Sequence, residues 1–436
     1  MANSYLNRTP SGAGNKQKFT FSVWIKKLYQ ATGTNRRIVS SYFSNGGRHA
    51  FLAFGQNEQL YAFSGNYTSG GSTTDSYRLN SSRKFRDTNA WYHIVYRVDT
   101  TQSTASDRIR CYVNGELLAW DTSHSDHLYP SQSDENYLNS DYPIQINALN
   151  GNGIMDCCMS HIAFVDGQSL APTVFGETDS TSGIWKFKSP SGVTWGTNGF
   201  HLKFENSAAL GTDSSGNTNT FTVNGNLKQA LDTPSNVYAT LNPLDYSPNP
   251  ATLQNGNTTY NKSSTGSGHN ASMTGTLGAM TGKWYYEFKP TNTSSFVAGM
   301  IRTNHGLPNG EGYYGTDAGS YSITNSGKIV GGSESSVSYS YSANDIFGMA
   351  YDLDNGKFYV HVNGTYLTSG NPTSGSTGTG SLGDIALGSN IYVPLVSNAN
   401  YGQTNLMHFN FGNGYFGTTA ITSAGSNGNG SLFEYD

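Results

Sequence analysis

Three groups of side chains in this sequence are of types that can do chemistry. The densest is the run Asp121-Thr122-Ser123-His124-Ser125-Asp126-His127, two histidines three residues apart with aspartates interleaved. Imidazole and carboxylate at that spacing can ligate a divalent cation; the same run also reads as an exposed polar loop after a strand over 116–120. The second group is His93 and His161, each inside a strand pattern beside aromatic residues. A serine nucleophile needs such a base and an acid to orient it, but the strand context favours a hydrogen-bonded structural histidine. The third group is the carboxylates. Glycoside hydrolysis takes two, facing one cleft, and a Glu-x-Asp-x-Glu strand would supply them. No such triplet occurs. Asp134-Glu135 sits in a Ser/Asn-rich loop where neighbours point apart, and Glu116 and Glu287 lack a partner two residues away. The chain is therefore not expected to be an enzyme.

Cofactor chemistry is equally thin. Asp352-Leu353-Asp354-Asn355-Gly356 and Asp213-Ser214-Ser215-Gly216-Asn217 carry the oxygen ligands calcium uses. The twelve-residue loop with a closing Glu is missing, so both are read as turns. No cofactor is expected, and calcium is the ion these two oxygen-rich turns would suit. The three cysteines, Cys111, Cys157 and Cys158, are odd in number, and two are adjacent. They make neither a disulfide framework nor a zinc site and are expected to be free, mostly buried thiols. Sugar binding needs an aromatic face for C–H surface and amides or hydroxyls for the oxygens, which Tyr- and Asn-rich loops offer. Two stretches fit. One is 120–142, with Trp120, Tyr129, Tyr137 and Tyr142; the other is 310–321, with Tyr313 and Tyr314. These six residues are the glycan-binding candidates.

The elements that must hold such residues are strands. The chain has 436 residues, of which charged residues are only 12%, while 29 Tyr, 21 Phe and 6 Trp supply large buriable areas. Net charge is −4 and no basic stripe appears, which excludes ordinary nucleic-acid binding. No apolar run approaches a membrane span, so insertion is not expected. Residues 19–25 (FTFSVWI) alternate with period two, placing Phe19, Phe21, Val23 and Ile25 on one face. Residues 91–98 (WYHIVYRV) form a second strand, and 108–118 a hairpin about Asn114-Gly115, whose positive φ angles suit a tight turn. Shorter strands follow at 161–165, 200–204 and 221–223. A second strand-rich block has 284–288, 296–301, 347–351, 357–362 and 406–411, with turn signals at Asp354-Asn355-Gly356 and Asn363-Gly364.

Many short strands with Gly-rich turns predict an all-β chain of two antiparallel β-sandwich domains of jelly-roll type. The expected boundaries are a first sandwich over 1–225, an extended loop-rich linker over 226–280, and a second sandwich over 281–436. The linker is rich in Gly, Ser, Thr and Asn over 255–272 and is expected to lack a core of its own. Its TLNPL piece at 240–244 is expected to pack Leu241 and Leu244 against a sandwich.

The first block resembles the laminin-G-like, concanavalin-A-type lectin sandwich through FTFSVWIKK at 19–27, AWYHIVYRVDTTQ at 90–102, DRIRCYVNGELL at 107–118 and HIAFVDGQSLAPTVFGE at 161–177. The stretch from 198 to 244 is similar to the joint of structural proteins in marine tailed phages. The second block resembles a SPRY sandwich through GKWYYEFK at 282–289, DIFGMAYDLDNGKFYVHVNGTYL at 345–367, YVPLVS at 392–397 and FNFG at 409–412. The resemblance implies a virion protein of fibre or appendage type that recognises a host-surface glycan or protein without catalysis. The alternative it leaves open is a purely structural head fibre, decoration or connector protein that binds other virion proteins; a polysaccharide-degrading appendage is the third reading. The N-terminus, MANSYLNRTP, lacks the apolar core of a signal peptide, which accords with release by lysis. A homo-oligomer is expected, as a trimer, since weak sites gain from multivalency.

Overall fold

The computed structural model describes residues 4–29, 33–43, 47–67, 73–247, 251–263, 271–305, 317–398, 403–422 and 431–435. The chain divides into two compact units, 1–229 with 233–236, and 230–232 with 237–436. Both are antiparallel β-sandwiches, as the strand patterns predict.

In the first unit a seven-stranded sheet runs Thr222–Asn224, Tyr5–Arg8, Ile144–Ile146, Arg36–Phe43, Arg48–Phe54, Gln59–Tyr67, Thr73–Lys84. It packs on a six-stranded sheet ordered Phe200–Leu202, Cys157–Asp166, Lys18–Lys27, Trp91–Asp99, Ile109–Val113, Glu116–Leu117. Phe19, Phe21, Val23 and Ile25 all enter the core between them, with Leu52, Phe54, Ala62 and Leu79 from the facing sheet. The strand Lys18–Lys27 is buried on its other face as well. That face is covered by the segment after Asp166, which folds back as the hairpin Gly176–Thr178 and Trp185–Phe187. The turn at Asn114-Gly115 has φ values of 50° and 84°. Gly115 also lies directly beneath the Trp185 ring, so a side chain there would meet it.

In the second unit a seven-stranded sheet begins with Leu241–Tyr246 and Ser272–Gly275. An eight-stranded sheet begins with Thr252–Gln254 and Thr259–Lys262 and continues through Asn405–Asn410, Lys283–Pro290, Phe347–Asp352, Lys357–Val362 and Thr365–Tyr366, with Gly383–Asp384 also paired to Lys357–Val362. This corrects the expected linker. The described parts of 241–275 are strands of the second sandwich, and the chain passes from one unit to the other at about 230–236. The physical reason is that a few well-placed side chains suffice. Leu241, Tyr260, Ala271 and Met273 are buried in the second core, and the Tyr260 hydroxyl donates to the Ala271 carbonyl at 2.8 Å. Leu244, expected to pack beside Leu241, is 48% exposed.

One buried carboxylate organises the outer face of the eight-stranded sheet. Glu287 accepts from the Tyr285 hydroxyl (3.1 Å), from Asn410 Nδ2 (3.1 Å), and from the backbone N–H groups of Glu434 (3.0 Å) and Tyr435 (2.7 Å). The Phe433 ring meets Tyr285 edge-on, and Tyr435 packs on His361. The segment at 431–435 is thereby clamped across the sheet. Burial pushes the Glu287 carboxyl up, and its four donors pull it partway back.

Candidate functional site

The strands Arg36–Phe43, Arg48–Phe54, Gln59–Tyr67 and Thr73–Lys84 have core residues at alternate positions. The opposite parity carries the site. On that outer face Arg37 pairs across to Ala53, Ala53 to Tyr61, and Tyr61 to Asn80. One row over, Ser40 faces Phe51, Phe51 faces Phe63, and Phe63 faces Arg78. The outer face of an antiparallel sheet is ordinarily polar. Here Phe51 and Phe63 stack at 5.3 Å and are only 4% and 3% exposed. His49 stacks on Phe63 at 4.9 Å, Tyr61 meets Phe51 edge-on at 5.2 Å, and Leu149 packs against the cluster. The Arg37 guanidinium lies 3.9 Å from the Phe51 ring centroid, and that of Arg78 lies 5.7 Å from Phe63.

Beside this cluster is a pocket of about 190 Å³. Its sheet wall is Gln59, Tyr61, Arg78 and Asn80; Asn35, Gln56 and Asn57 close one side, and His124 and Asp126 the other. The last two are brought in by a loop pinned to the sheet edge. Arg78 and Leu128 exchange backbone hydrogen bonds at 2.9 Å each, and the Asp121 N–H donates to the Asn80 carbonyl at 2.7 Å. Arg78 is held between two carboxylates, Asp126 at 2.9 Å and Asp75 at 2.7 Å. The His124 Nδ1 accepts from the Asp126 N–H at 3.3 Å, which leaves its Nε2 as a donor. Among the described residues the side-chain amides of Asn35, Gln56, Asn57 and Asn80 and the Tyr61 hydroxyl make no hydrogen bond. Burial pushes the Tyr61 phenol up, while Arg78 and Arg37 pull it down, so it is a neutral donor and acceptor at ordinary pH. Free amides around an aromatic ring form a surface that can hydrogen-bond polyols and stack against their C–H faces.

The described sequence candidates do not line this pocket. Trp120 is 9% exposed, lies in the core, and donates its indole N–H to the Ile109 carbonyl at 3.2 Å; its ring is not available to a ligand. Tyr129 packs partly on the same core and meets His127 edge-on. Tyr137 also packs on that core, and Tyr142 stacks on Phe43 at 4.6 Å and accepts from Arg48 at 3.1 Å. Tyr313 and Tyr314 lie outside the described residues. The loop that holds 121–127 does reach the site, but through His124 and Asp126, as pocket wall. Asp121 is turned into its own loop by Ser123. What sequence reading missed is Tyr61, Asn80 and Arg37. The available signal was an aromatic at both Tyr61 and Phe63, the parity that leaves Leu60 and Ala62 for the core.

The other candidate chemistry resolves into structure. The Trp185 indole N–H donates to His93 Nδ1 at 2.9 Å, so the ring proton resides on Nε2, which donates to Ser22 Oγ at 2.9 Å. His93 therefore cannot take a proton from Ser22, and burial depresses it to about 3. His161 stacks on Phe187 at 3.6 Å. Asp213 spends its carboxylate on the N–H groups of His201, Ser215 and Asn219 and on the Ser215 hydroxyl. Asp352 spends its own on Asp354, Asn355 and Lys283. Both are the turns expected from sequence. Cys111, Cys157 and Cys158 are free thiols, with Cys111 buried.

Residues 2–157 match the concanavalin A-like lectin/glucanases superfamily. That stretch contains the four site strands and every residue lining the pocket. Among solved structures, the chain is similar to stonustoxin (17% identity, TM-score 0.30, covering 39% of this chain and 27% of that one). It is also similar to the SPRY domain of human HERC1 (12% identity, TM-score 0.30, 39% and 96%). The PSpry domain of TRIM65 is a third (13% identity, TM-score 0.29, 39% and 91%). This chain thus spans about a quarter of the length of the stonustoxin chain. No curated protein matches its sequence.

Proposed function

We propose that this is a non-catalytic recognition protein whose first unit holds a saccharide in the pocket on the outer face of its seven-stranded sheet. The observation that carries the reading is the set of unengaged amides of Asn35, Asn57 and Asn80 around the Tyr61 ring. The concanavalin A-like match over 2–157 supports it. Catalysis is not proposed because the pocket has one carboxylate, Asp126, already paired with Arg78, whereas glycoside hydrolysis ordinarily takes two. On the sequence resemblance, the setting is a tailed-phage particle, with the chain as a fibre or appendage, a trimer in our reading, that contacts a host-surface glycan. The test is binding of the intact chain to a panel of bacterial surface saccharides, with Tyr61→Ala and Asn80→Ala as variants. Saturable binding that either variant weakens about tenfold, the worth of one or two hydrogen bonds, supports the reading. Absence of binding, or binding indifferent to both variants, overturns it.

A second reading, contact with other virion proteins, draws on one end of the second unit. Leu277, Met280, Trp284, Leu387 and Ile391 are exposed there, Trp284 at 53%. Their loops are tied together by the Ala279–Tyr392 bridge and by the Leu353 N–H donating to the Gly282 carbonyl. Clustered exposed apolar side chains mark interaction surfaces, protein contacts among them. Locating the chain on an imaged particle separates head decoration from a tail appendage.

A further inference from the structure

We propose that the saccharide carries an oxyanion, a carboxylate or sulfate substituent, and that Arg37 is its counter-charge. The inference rests on the saccharide reading above and narrows it. Arg37 is a cation of the sheet face without a counter-charge among the described residues. Its guanidinium stacks on Phe51 at 3.9 Å. Its Nε and Nη1 are shut from water without a hydrogen-bond partner, whereas Nη2 is not enclosed. Among the described residues no carboxylate pairs with it.

Its neighbours are treated differently. Arg78 has Asp75 and Asp126, and Arg36 donates to the Ile154 carbonyl at 2.7 Å. A cation taken partly out of water and left unpaired is destabilising unless an anion arrives. The cost shows in its pKa, which burial depresses to about 10. Guanidinium also keeps its charge while stacked on an aromatic ring, and its open Nη2 can make one charge-assisted hydrogen bond to a carboxylate or sulfate.

Position ties Arg37 to the pocket. It lies opposite Ala53, which lies opposite Tyr61. Asn35, two residues earlier, lines the pocket. Tyr61 stands between Arg37 and Arg78 and feels both charges. A sugar stacked on Tyr61 and bonded by Asn35 and Asn80 would direct a substituent toward Arg37. Attraction by bulk charge is not the source, since the whole chain carries a net −4.

The test is calorimetric titration of the full chain with three probes: oligouronates, sulfated oligogalactans, and neutral oligosaccharides of matching linkage. Arg37→Met is the key variant, because it keeps an apolar lid on Phe51 and removes the charge; its melting temperature reports whether the fold is intact. Arg37→Lys serves as the second, restoring charge without the planar group stacked on Phe51. The expected result is a preference of at least about tenfold for one charged probe over its neutral match, the factor supplied by one charge-assisted hydrogen bond. Arg37→Met should abolish that preference, and Arg37→Lys should recover part of it. The charged probe that is preferred tells carboxylate from sulfate. Equal binding of charged and neutral probes, or a preference that survives Arg37→Met, overturns this inference and leaves the saccharide reading standing. Binding of inorganic sulfate as tight as that of the sulfated sugar also overturns it, reducing the site to an anion hole. Binding of no probe at all overturns both.

Discussion

Replacing Glu287 by Gln should release the segment at 431–435 from the second sandwich without unfolding that sandwich. The wild-type carboxylate faces four donors and no acceptor: Tyr285 Oη, Asn410 Nδ2, and the N–H groups of Glu434 and Tyr435. Each oxygen takes one side-chain and one backbone donor. An amide in that place keeps one accepting oxygen and turns an N–H₂ toward the other two donors. His361 cannot relieve the clash. Its Nδ1 accepts from the Gly364 N–H at 3.1 Å, so its Nε2 is the donor to Tyr285 Oη at 2.7 Å, and Tyr285 must donate onward. Two hydrogen bonds to a charged acceptor are lost, at roughly 1.5–3 kcal/mol each before relaxation. Taking about 3 kcal/mol as the net, the docking equilibrium should fall about a hundredfold. Amide hydrogen exchange of Glu434 and Tyr435 reads this directly. Both should exchange about a hundred times faster in the variant, while amides of Phe347–Asp352 in the same sheet stay protected. Unchanged protection of 434 and 435, with the fold intact, would show that the carboxylate is not what holds the segment.

Two further outcomes follow from buried charge. Lys27 is fully buried in the first unit, paired with Glu58 and donating to the Phe85 carbonyl at 2.8 Å. Lys27→Ala leaves Glu58 without its partner and should cost about 3–5 kcal/mol. Removing both charges together, as Lys27→Met with Glu58→Gln, should cost clearly less, and urea unfolding of the two variants compares them. The second outcome concerns acid. Burial depresses His93 to about 3 and His201 and His361 to about 4. Unfolded histidines take up protons near 6.5, so between about 6.5 and 4 the unfolded state binds more protons than the folded one. Both units should therefore lose stability as pH falls through that window, by up to about 1.4 kcal/mol per pH unit for each histidine. Above about pH 7 these groups should add no pH dependence. Urea midpoints at pH 7.5, 6 and 4.5 check this, and a flat profile would contradict the buried neutral assignments.

The architecture was legible where alternation was strong. Phe19 to Ile25, Trp91 to Val98 and Lys357 to Val362 combine β-branched and aromatic residues with turn dipeptides, and each is a strand. The described strands within 241–275 are faint in sequence because their apolar density is low, and a Ser/Thr strand such as Ser272–Gly275 needs only Met273 to anchor it. The site was hidden for a related reason. Its strands carry aromatics on both faces, Phe51 in the outer cluster and Phe54 in the core, so alternation is blurred where it matters. Tyrosine-rich loops looked the better sugar surface, yet Trp120 and Tyr137 are drawn inward by the core they help close. Only the fold brings Asn35, Tyr61, Asn80 and Asp126 to one pocket, from sequence positions as much as 91 residues apart.

The central claim is tested most directly by mapping a bound saccharide onto the protein, by backbone and side-chain amide shifts or by a crystal of the complex. Perturbations or contacts concentrated on the side-chain amides of Asn35, Gln56, Asn57 and Asn80 and on the Tyr61 ring are the predicted result. A saccharide that instead maps to Tyr129, Tyr137 and Tyr142, or to the second unit alone, would contradict it.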